Sequence, residues 1–198
     1  LTPDTPEAIQ PNFDRSSDGR WIAYQSNRSG RFSTYLLSTD AHKDQFSAGE
    51  PEPVFTEGGP HWDVRFSPEG SWLAVVGESS GQDHTTTLIN ISKCKKAGLV
   101  QQIELEGRPL NALQVCWSPD GSRLAFSSDV AGWFNIGIYA LRGGEIVWMT
   151  SGEGDKSEPD WSPDGKRLAY IYSLGAETWL AVHELRETHP SLYQVEPG

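Results

Sequence analysis

Apolar residues recur along this chain in short runs separated by clusters of Gly, Pro, Ser and Asp, with no amphipathic helical period of useful length. Val115-Cys116-Trp117, Leu124-Ala125-Phe126 and Ile136-Gly137-Ile138-Tyr139 are three successive runs, and their composition between turn signals predicts β-strands. The punctuation is itself periodic. Ser16-Ser17-Asp18-Gly19, Ser67-Pro68-Glu69-Gly70, Ser118-Pro119-Asp120-Gly121 and Ser162-Pro163-Asp164-Gly165 place their glycines 51, 51 and 44 residues apart. Three residues past each glycine stand Ile22, Leu73, Leu124 and Leu168, then Ala23, Ala74, Ala125 and Ala169, then Tyr24, Val75, Phe126 and Tyr170. A second glycine (Gly30, Gly81, Gly132, Gly175) follows by 11, 11, 11 and 10 residues and leads into Thr34–Leu37, Thr87–Asn90, Ile136–Tyr139 and Trp179–Val182. A more polar run ends each unit: Pro53–Thr56, Val100–Leu105, Ile146–Thr150 and Leu192–Val195.

The physics of the first turn fits a hairpin. Proline presets φ, aspartate caps locally and glycine takes the left-handed conformation, which assigns a structural turn role to Asp18, Gly19, Pro68, Gly70, Pro119, Asp120, Gly121, Pro163, Asp164 and Gly165. The expected form is a three-residue loop with a glycine bulge. Four strands per unit at this period predict an all-β fold: a β-propeller of four consecutive four-stranded blades, in units of about 1–56, 57–106, 107–151 and 152–198. A lone four-stranded sheet cannot bury both faces, so blades cover one another, and the repeated alanine suits a face pressed against the next sheet. The expected core is Ile22, Tyr24, Phe66, Leu73, Val75, Trp117, Leu124, Phe126, Trp161, Leu168 and Tyr170. The first copy departs: Arg15 stands where Phe66, Trp117 and Trp161 stand, and a register change would let Phe13 substitute. Leu1-Thr2 and Leu192–Val195 fall at the same phase of the repeat, which predicts a segment of a larger propeller, a self-closed four-blade ring being the alternative. Open ends with Ile22 and Tyr24 at one side and Leu168 and Tyr170 at the other would favour a homodimer, or else contact with a domain outside this chain.

Trp117-Ser118-Pro119-Asp120-Gly121-Ser122-Arg123-Leu124-Ala125-Phe126 and Trp161-Ser162-Pro163-Asp164-Gly165-Lys166-Arg167-Leu168-Ala169-Tyr170 resemble the WD40-like repeat of TolB-type propellers, over nearly the whole chain. The same repeat builds the N-terminal propeller of prolyl-oligopeptidase-family serine peptidases, including acylaminoacyl- and dipeptidyl-peptidase relatives. The resemblance implies a non-catalytic propeller that caps a separate hydrolase domain and gates or binds peptide substrate. The other implied reading is a TolB-like protein-interaction propeller at the bacterial cell envelope, without hydrolase activity. A cytoplasmic place would follow from the first reading and a periplasmic one from the second.

Composition narrows the chemistry. Lys+Arg 16 against Asp+Glu 27 gives a net charge of −11, which argues against nucleic acid, and no apolar stretch is long enough for a membrane-spanning helix. Two cysteines make no disulfide framework; Cys116 beside Trp117 is expected to be a buried, inert thiol, and Cys94 sits among lysines. The related peptidases carry a G-x-S-x-G elbow on an α/β-hydrolase domain, and neither that elbow nor that domain's strand–helix alternation is expected here, so the chain by itself is read as no enzyme. No catalytic or cofactor-binding residues and no cofactor are assigned. His42, His61, His84, His183 and His189 lack metal-ligand spacing and are expected on exposed loops. His61 near Glu158 or Asp160 at the channel is the one arrangement that would suit a metal, and none is assigned. Gly77–Gly81 and Gly143-Gly144 read as turn glycines. Trp133, Phe134, Trp148 and Trp179 are recognition candidates of which at least two are expected to pack between blades.

Overall fold

The computed structural model describes residues 12–28, 30, 33–39, 51–55, 61–78, 87–93, 101–105, 108–187 and 189–195. Among them every regular element is a strand, and the strands form four antiparallel sheets in chain order. Blade 1 holds β1 (Phe13–Arg15), β2 (Trp21–Ser26), β3 (Ser33–Ser38) and β4 (Glu52–Phe55). Blade 2 holds β5 (His61–Phe66), β6 (Trp72–Glu78), β7 (Thr87–Lys93), β8 (Gln101–Leu105) and a two-residue β9 (Arg108–Pro109). Blade 3 holds β10 (Ala112–Trp117), β11 (Arg123–Ser128), β12 (Asn135–Ala140) and β13 (Ile146–Trp148). Blade 4 holds β14 (Asp155–Trp161), β15 (Arg167–Leu174), β16 (Glu177–Glu184) and β17 (Ser191–Gln194). The fifth strand of blade 2 is the one departure from four per sheet: Arg108 and Pro109 fold back on Leu105 and Glu104, at an edge where a proline breaks no ladder.

The sheets approach one another most closely through their first strands, β1 to β5, β5 to β10 and β10 to β14, so these are the inner edges and the sheets splay outward from them. Three apolar clusters fill the three gaps between four blades. Ala23, Leu36 and Val54 of blade 1 meet Val64, Phe66, Leu73 and Val75 of blade 2. Ala74, Val76 and Ile103 of blade 2 meet Val115, Trp117, Leu124, Phe126 and Tyr139 of blade 3. Ala125, Ile136 and Ile138 of blade 3 meet Trp161, Leu168 and Tyr170 of blade 4. Each joint therefore sets an aromatic-and-leucine face, here called the front, onto the alanine-bearing back of the blade before. Interior blades are covered twice, so Leu73–Gly77 and Leu124–Ser128 are buried at every residue. In β2 and β15 burial alternates, because only one face is covered.

This polarity corrects two expectations. Leu168 and Tyr170 are buried against blade 3; the open side of blade 4 is its back, with Ala169, Ile171, Val182 and the more exposed Leu180 and Tyr193. Ile22 and Tyr24 are only partly buried, on the open front of blade 1. The register of the first hairpin does not shift: Arg15 pairs with Ile22 as Phe66 pairs with Leu73, Trp117 with Leu124 and Trp161 with Leu168. Phe13 stays opposite Tyr24 and is 66% exposed, so no aromatic replaces Arg15.

Candidate functional site

The four S-x-x-G turns are built alike. Each glycine N–H donates to the serine carbonyl at 2.8 Å, with glycine φ of 70°, 70°, 68° and 67° at Gly19, Gly70, Gly121 and Gly165. Ser118 N donates to Arg123 O (2.9 Å), which leaves four residues in the loop, one more than expected. The turn serine has a role beyond the Pro, Asp and Gly preferences. Its Oγ accepts from the backbone N–H of Trp21, Trp72, Arg123 or Arg167 at 2.9–3.0 Å, and Ser16, Ser118 and Ser162 also donate to Asp18, Asp120 and Asp164 at 2.6–2.7 Å. The signal was present: a serine three residues before each glycine in all four copies. The Asp120 carboxylate also accepts from Ser122 N and Oγ, and with the Ser118 bond these hold its pKa down at about 2. Pro68, Pro119 and Pro163 are exposed at the second turn position, and Glu69 stands where the other copies have aspartate.

Chemistry gathers instead on the inner strands. Counting back from each turn serine, the fourth residue is Asn12, Asp63, Gln114 or Glu158, an amide alternating with a carboxylate from blade to blade; the second is Asp14, Arg65, Cys116 or Asp160. Asn12 Nδ2 donates to Asp63 Oδ1 (2.7 Å), and Gln114 Nε2 donates to Glu158 Oε1 (3.2 Å). Asp63 is 3% exposed; its Oδ1 also accepts from Val64 N and pairs with Arg65 (3.2 Å), while Oδ2 accepts from Val115 N of the next blade at 3.0 Å. Burial pushes the Asp63 carboxyl above the usual carboxylate range; the Arg65 guanidinium and the Val115 and Val64 N–H groups offset part of this, and the Glu158 charge adds to it. The strands bulge where this row lies, between His61 and Asp63, Ala112 and Val115, and Ser157 and Asp160. At the last bulge Glu158 takes a left-handed φ of 53°, a conformation that costs a non-glycine residue roughly 1 kcal/mol or more. Glu158 and Asp160 are exposed and Arg65 is half-buried, so charge of both signs stays accessible along the inner strands.

Several expected residues lie elsewhere. His61 is no loop residue: it is buried in β5 with Nδ1 bonded to Thr34 Oγ1 of blade 1 (3.0 Å), because the bulge turns it toward that sheet. Gln25, with its amide oriented to satisfy both ends, holds the same bulge by donating to His61 O and accepting from Trp62 N and Asp63 N. His183 is likewise buried, with Nε2 bonded to Glu187 O at 3.0 Å, while His189 is exposed. Among the described residues no three His, Cys, Asp or Glu side chains are placed to hold a metal ion. Cys116 is a free thiol whose pKa is pushed up, first by burial and then by the Asp160 charge, which disfavours its thiolate. Cys94, His42 and His84 lie outside the described residues. Trp148 packs edge-on against Phe126 (5.8 Å) and Trp179 stacks on Tyr172 (5.1 Å), whereas Trp133 is 44% exposed in the loop before β12.

One expectation about the sequence itself is corrected. The spacing G-x-S-x-G does occur, once, as Gly77-Glu78-Ser79-Ser80-Gly81. Gly77 is no turn glycine but lies within β6, and the segment joins β6 to β7 in one antiparallel sheet. A nucleophile elbow needs a strand-to-helix turn, so the context is the wrong one; Ser79 lies outside the described residues.

No protein-family model matches the chain, and no curated protein matches it in sequence. Solved structures do. TolB from Acinetobacter baumannii is similar with a TM-score of 0.71 at 19% identity, over 94% of this chain and 43% of that one. A puromycin-hydrolyzing peptidase from Mycobacterium tuberculosis is similar with a TM-score of 0.68 at 19% identity, over 93% of this chain and 31% of that one. A prolyl endopeptidase is similar with a TM-score of 0.65 at 13% identity, over 96% of this chain and 28% of that one. The chain therefore spans less than half the length of each. Its fold is a segment of β-propeller, of the kind found in TolB and in prolyl-endopeptidase-type peptidases.

Proposed function

We propose that the chain is a non-catalytic propeller domain of a prolyl-oligopeptidase-like serine peptidase, and that it gates or binds peptide at its inner strands. The observation that carries this reading is the row Asn12, Asp63, Gln114 and Glu158, flanked by Arg65 and Asp160. Within this row Asp63 is buried and spent on holding the strands, and the exposed Glu158, with Asp160 and the half-buried Arg65 beside it, supplies the groups that can meet a peptide. The surplus of carboxylates favours basic side chains or a free amino terminus. Likeness to two peptidases supports the assignment to that class of enzyme. A TolB-like protein-interaction propeller is the second reading, supported by the higher TM-score of 0.71.

Fluorescence anisotropy with short labelled peptides tests the binding. A basic peptide is expected to bind several-fold more tightly than an acidic one of equal length, with the difference shrinking at high salt. Glu158→Gln should weaken the basic peptide alone. Equal or absent binding of both peptides by the folded chain contradicts the reading. A downstream hydrolase domain in the gene separates the peptidase from the TolB-like alternative.

A further inference from the structure

The segment between β13 and β14 is built as a socket. Lys156, 5% exposed, places Nζ at 3.3, 3.0, 2.8 and 2.8 Å from the carbonyl oxygens of Ser151, Gly152, Glu153 and Gly154, with the Tyr172 ring centre at 5.2 Å. Turning four consecutive carbonyls to one point takes backbone that an L side chain rarely adopts, and Gly152 and Gly154 supply it at φ of 83° and 79°. Every N–H of an ammonium finds an acceptor there, and the ring attracts the same charge. The oxygens stand farther off than the about 2.3–2.6 Å of a calcium site. The socket is therefore sized for an ammonium group and not for a small divalent ion.

The lysine side chain does not make this shape alone. Before the socket, Met149 N donates to Ile136 O at 2.8 Å, and Thr150 Oγ1 accepts from Ile136 N at 2.8 Å and donates to Asn135 Oδ1 at 3.2 Å. After it, Asp155 Oδ1 accepts from Phe134 N at 3.0 Å, and the main-chain N–H of Lys156 donates to Phe134 O at 2.9 Å. At Gly154 the backbone lies so close to β15 that a Cβ would stand 2.6 Å from Ser173 O and from Tyr172 Cε2. The start of β12 in blade 3 and β15 in blade 4 thus fix both ends of the segment, and these two blades pack on each other within this chain. None of these contacts uses the lysine side chain.

We propose that residues 151–154 with Tyr172 are a receptor for a primary alkylammonium ion, and that Lys156 fills it as a tethered ligand. Without the tether, the carbonyl dipoles point at one another and the segment loosens between its anchors. A free ammonium of matching length closes it again. The proposal is independent of what the inner strands bind.

Thermal unfolding of the whole chain tests it, because Lys156→Ala removes the atoms that make up n-propylammonium. The variant is expected to melt below the wild type. With a Kd of about 10 mM, n-propylammonium at about 100 mM should raise its melting temperature by about 3–6 °C over sodium at equal ionic strength. Tetramethylammonium, which has no N–H, and n-propanol, which has no charge, should do nothing. The wild type, whose socket is filled, and Lys156→Met, which fills the space without a charge, should not respond to n-propylammonium. Should Lys156→Ala fail to fold, nitrogen-15 NMR of the wild type at neutral pH gives a second reading: one lysine ammonium resonance is expected to be shielded from exchange with water. Equal shifts with tetramethylammonium or n-propanol, an equal shift in the wild type, no shift at all, or no shielded resonance overturns the proposal.

Discussion

Gly137 in β12 lies opposite Phe126, and a Cβ there would stand 2.5 Å from Cζ of that fully buried ring. The glycine is room for an aromatic side chain, not freedom for a turn. Gly137→Ala should lower stability by about 1–3 kcal/mol through overpacking, read as a lower urea midpoint with an unchanged slope. Gly165→Ala separates the other role of glycine: its Cβ would meet only Pro119 at an ordinary 3.7 Å, yet φ is +67°. A loss of roughly 1 kcal/mol there comes from backbone conformation alone. Acid should act on the same turns. Asp120 has its folded pKa depressed to about 2, so its contribution is present above the ordinary carboxylate pKa and is lost as pH falls toward that value. Asp63 has the opposite sign: its raised pKa means that protonation relieves a cost already present at neutral pH. Asp120→Asn should therefore make the fall in melting temperature between about pH 4 and pH 2 shallower than in the wild type.

Between β13 and β14 the chain wraps round a single cation. Lys156 is 5% exposed, and its Nζ lies 2.8–3.3 Å from the carbonyl oxygens of Ser151, Gly152, Glu153 and Gly154, over the Tyr172 ring at 5.2 Å. Gly152 and Gly154, at φ of 83° and 79°, accompany this inward turn of the carbonyls. Lys156→Met should cost about 1–3 kcal/mol and open residues 151–154 to protease. Lys156→Arg should not restore them, because a planar guanidinium does not fit a compact cage. Nothing in the sequence announced this clamp, since the lysine meets main-chain atoms and leaves no side-chain pattern. The strands and turns were legible because Ser, Asp and Gly at fixed spacing do the same local work in every copy. Which face of a blade meets which neighbour was not: the alternation at Leu168, Ala169 and Tyr170 shows two faces but not their direction round the ring. The inner-strand row was hidden for a related reason. Bulges at His61–Asp63 and Ser157–Asp160 set its residues, and a bulge is a property of paired strands.

At the scale of the molecule, three interfaces hold four sheets, and polar side chains of the inner strands stitch each sheet to the next. The same strands present the exposed Glu158 and the half-buried Arg65 where the sheets converge. Recognition at that inner edge is the role proposed for these strands, with the outer strands serving as frame. Hydrogen exchange read by mass spectrometry, with and without a saturating basic peptide, tests it most directly. Slower exchange is expected in residues 61–66, 112–117 and 155–161, with β13 and β17 unchanged. Protection confined to the outer strands or to the loop carrying Trp133, with the inner strands unaffected, would contradict it.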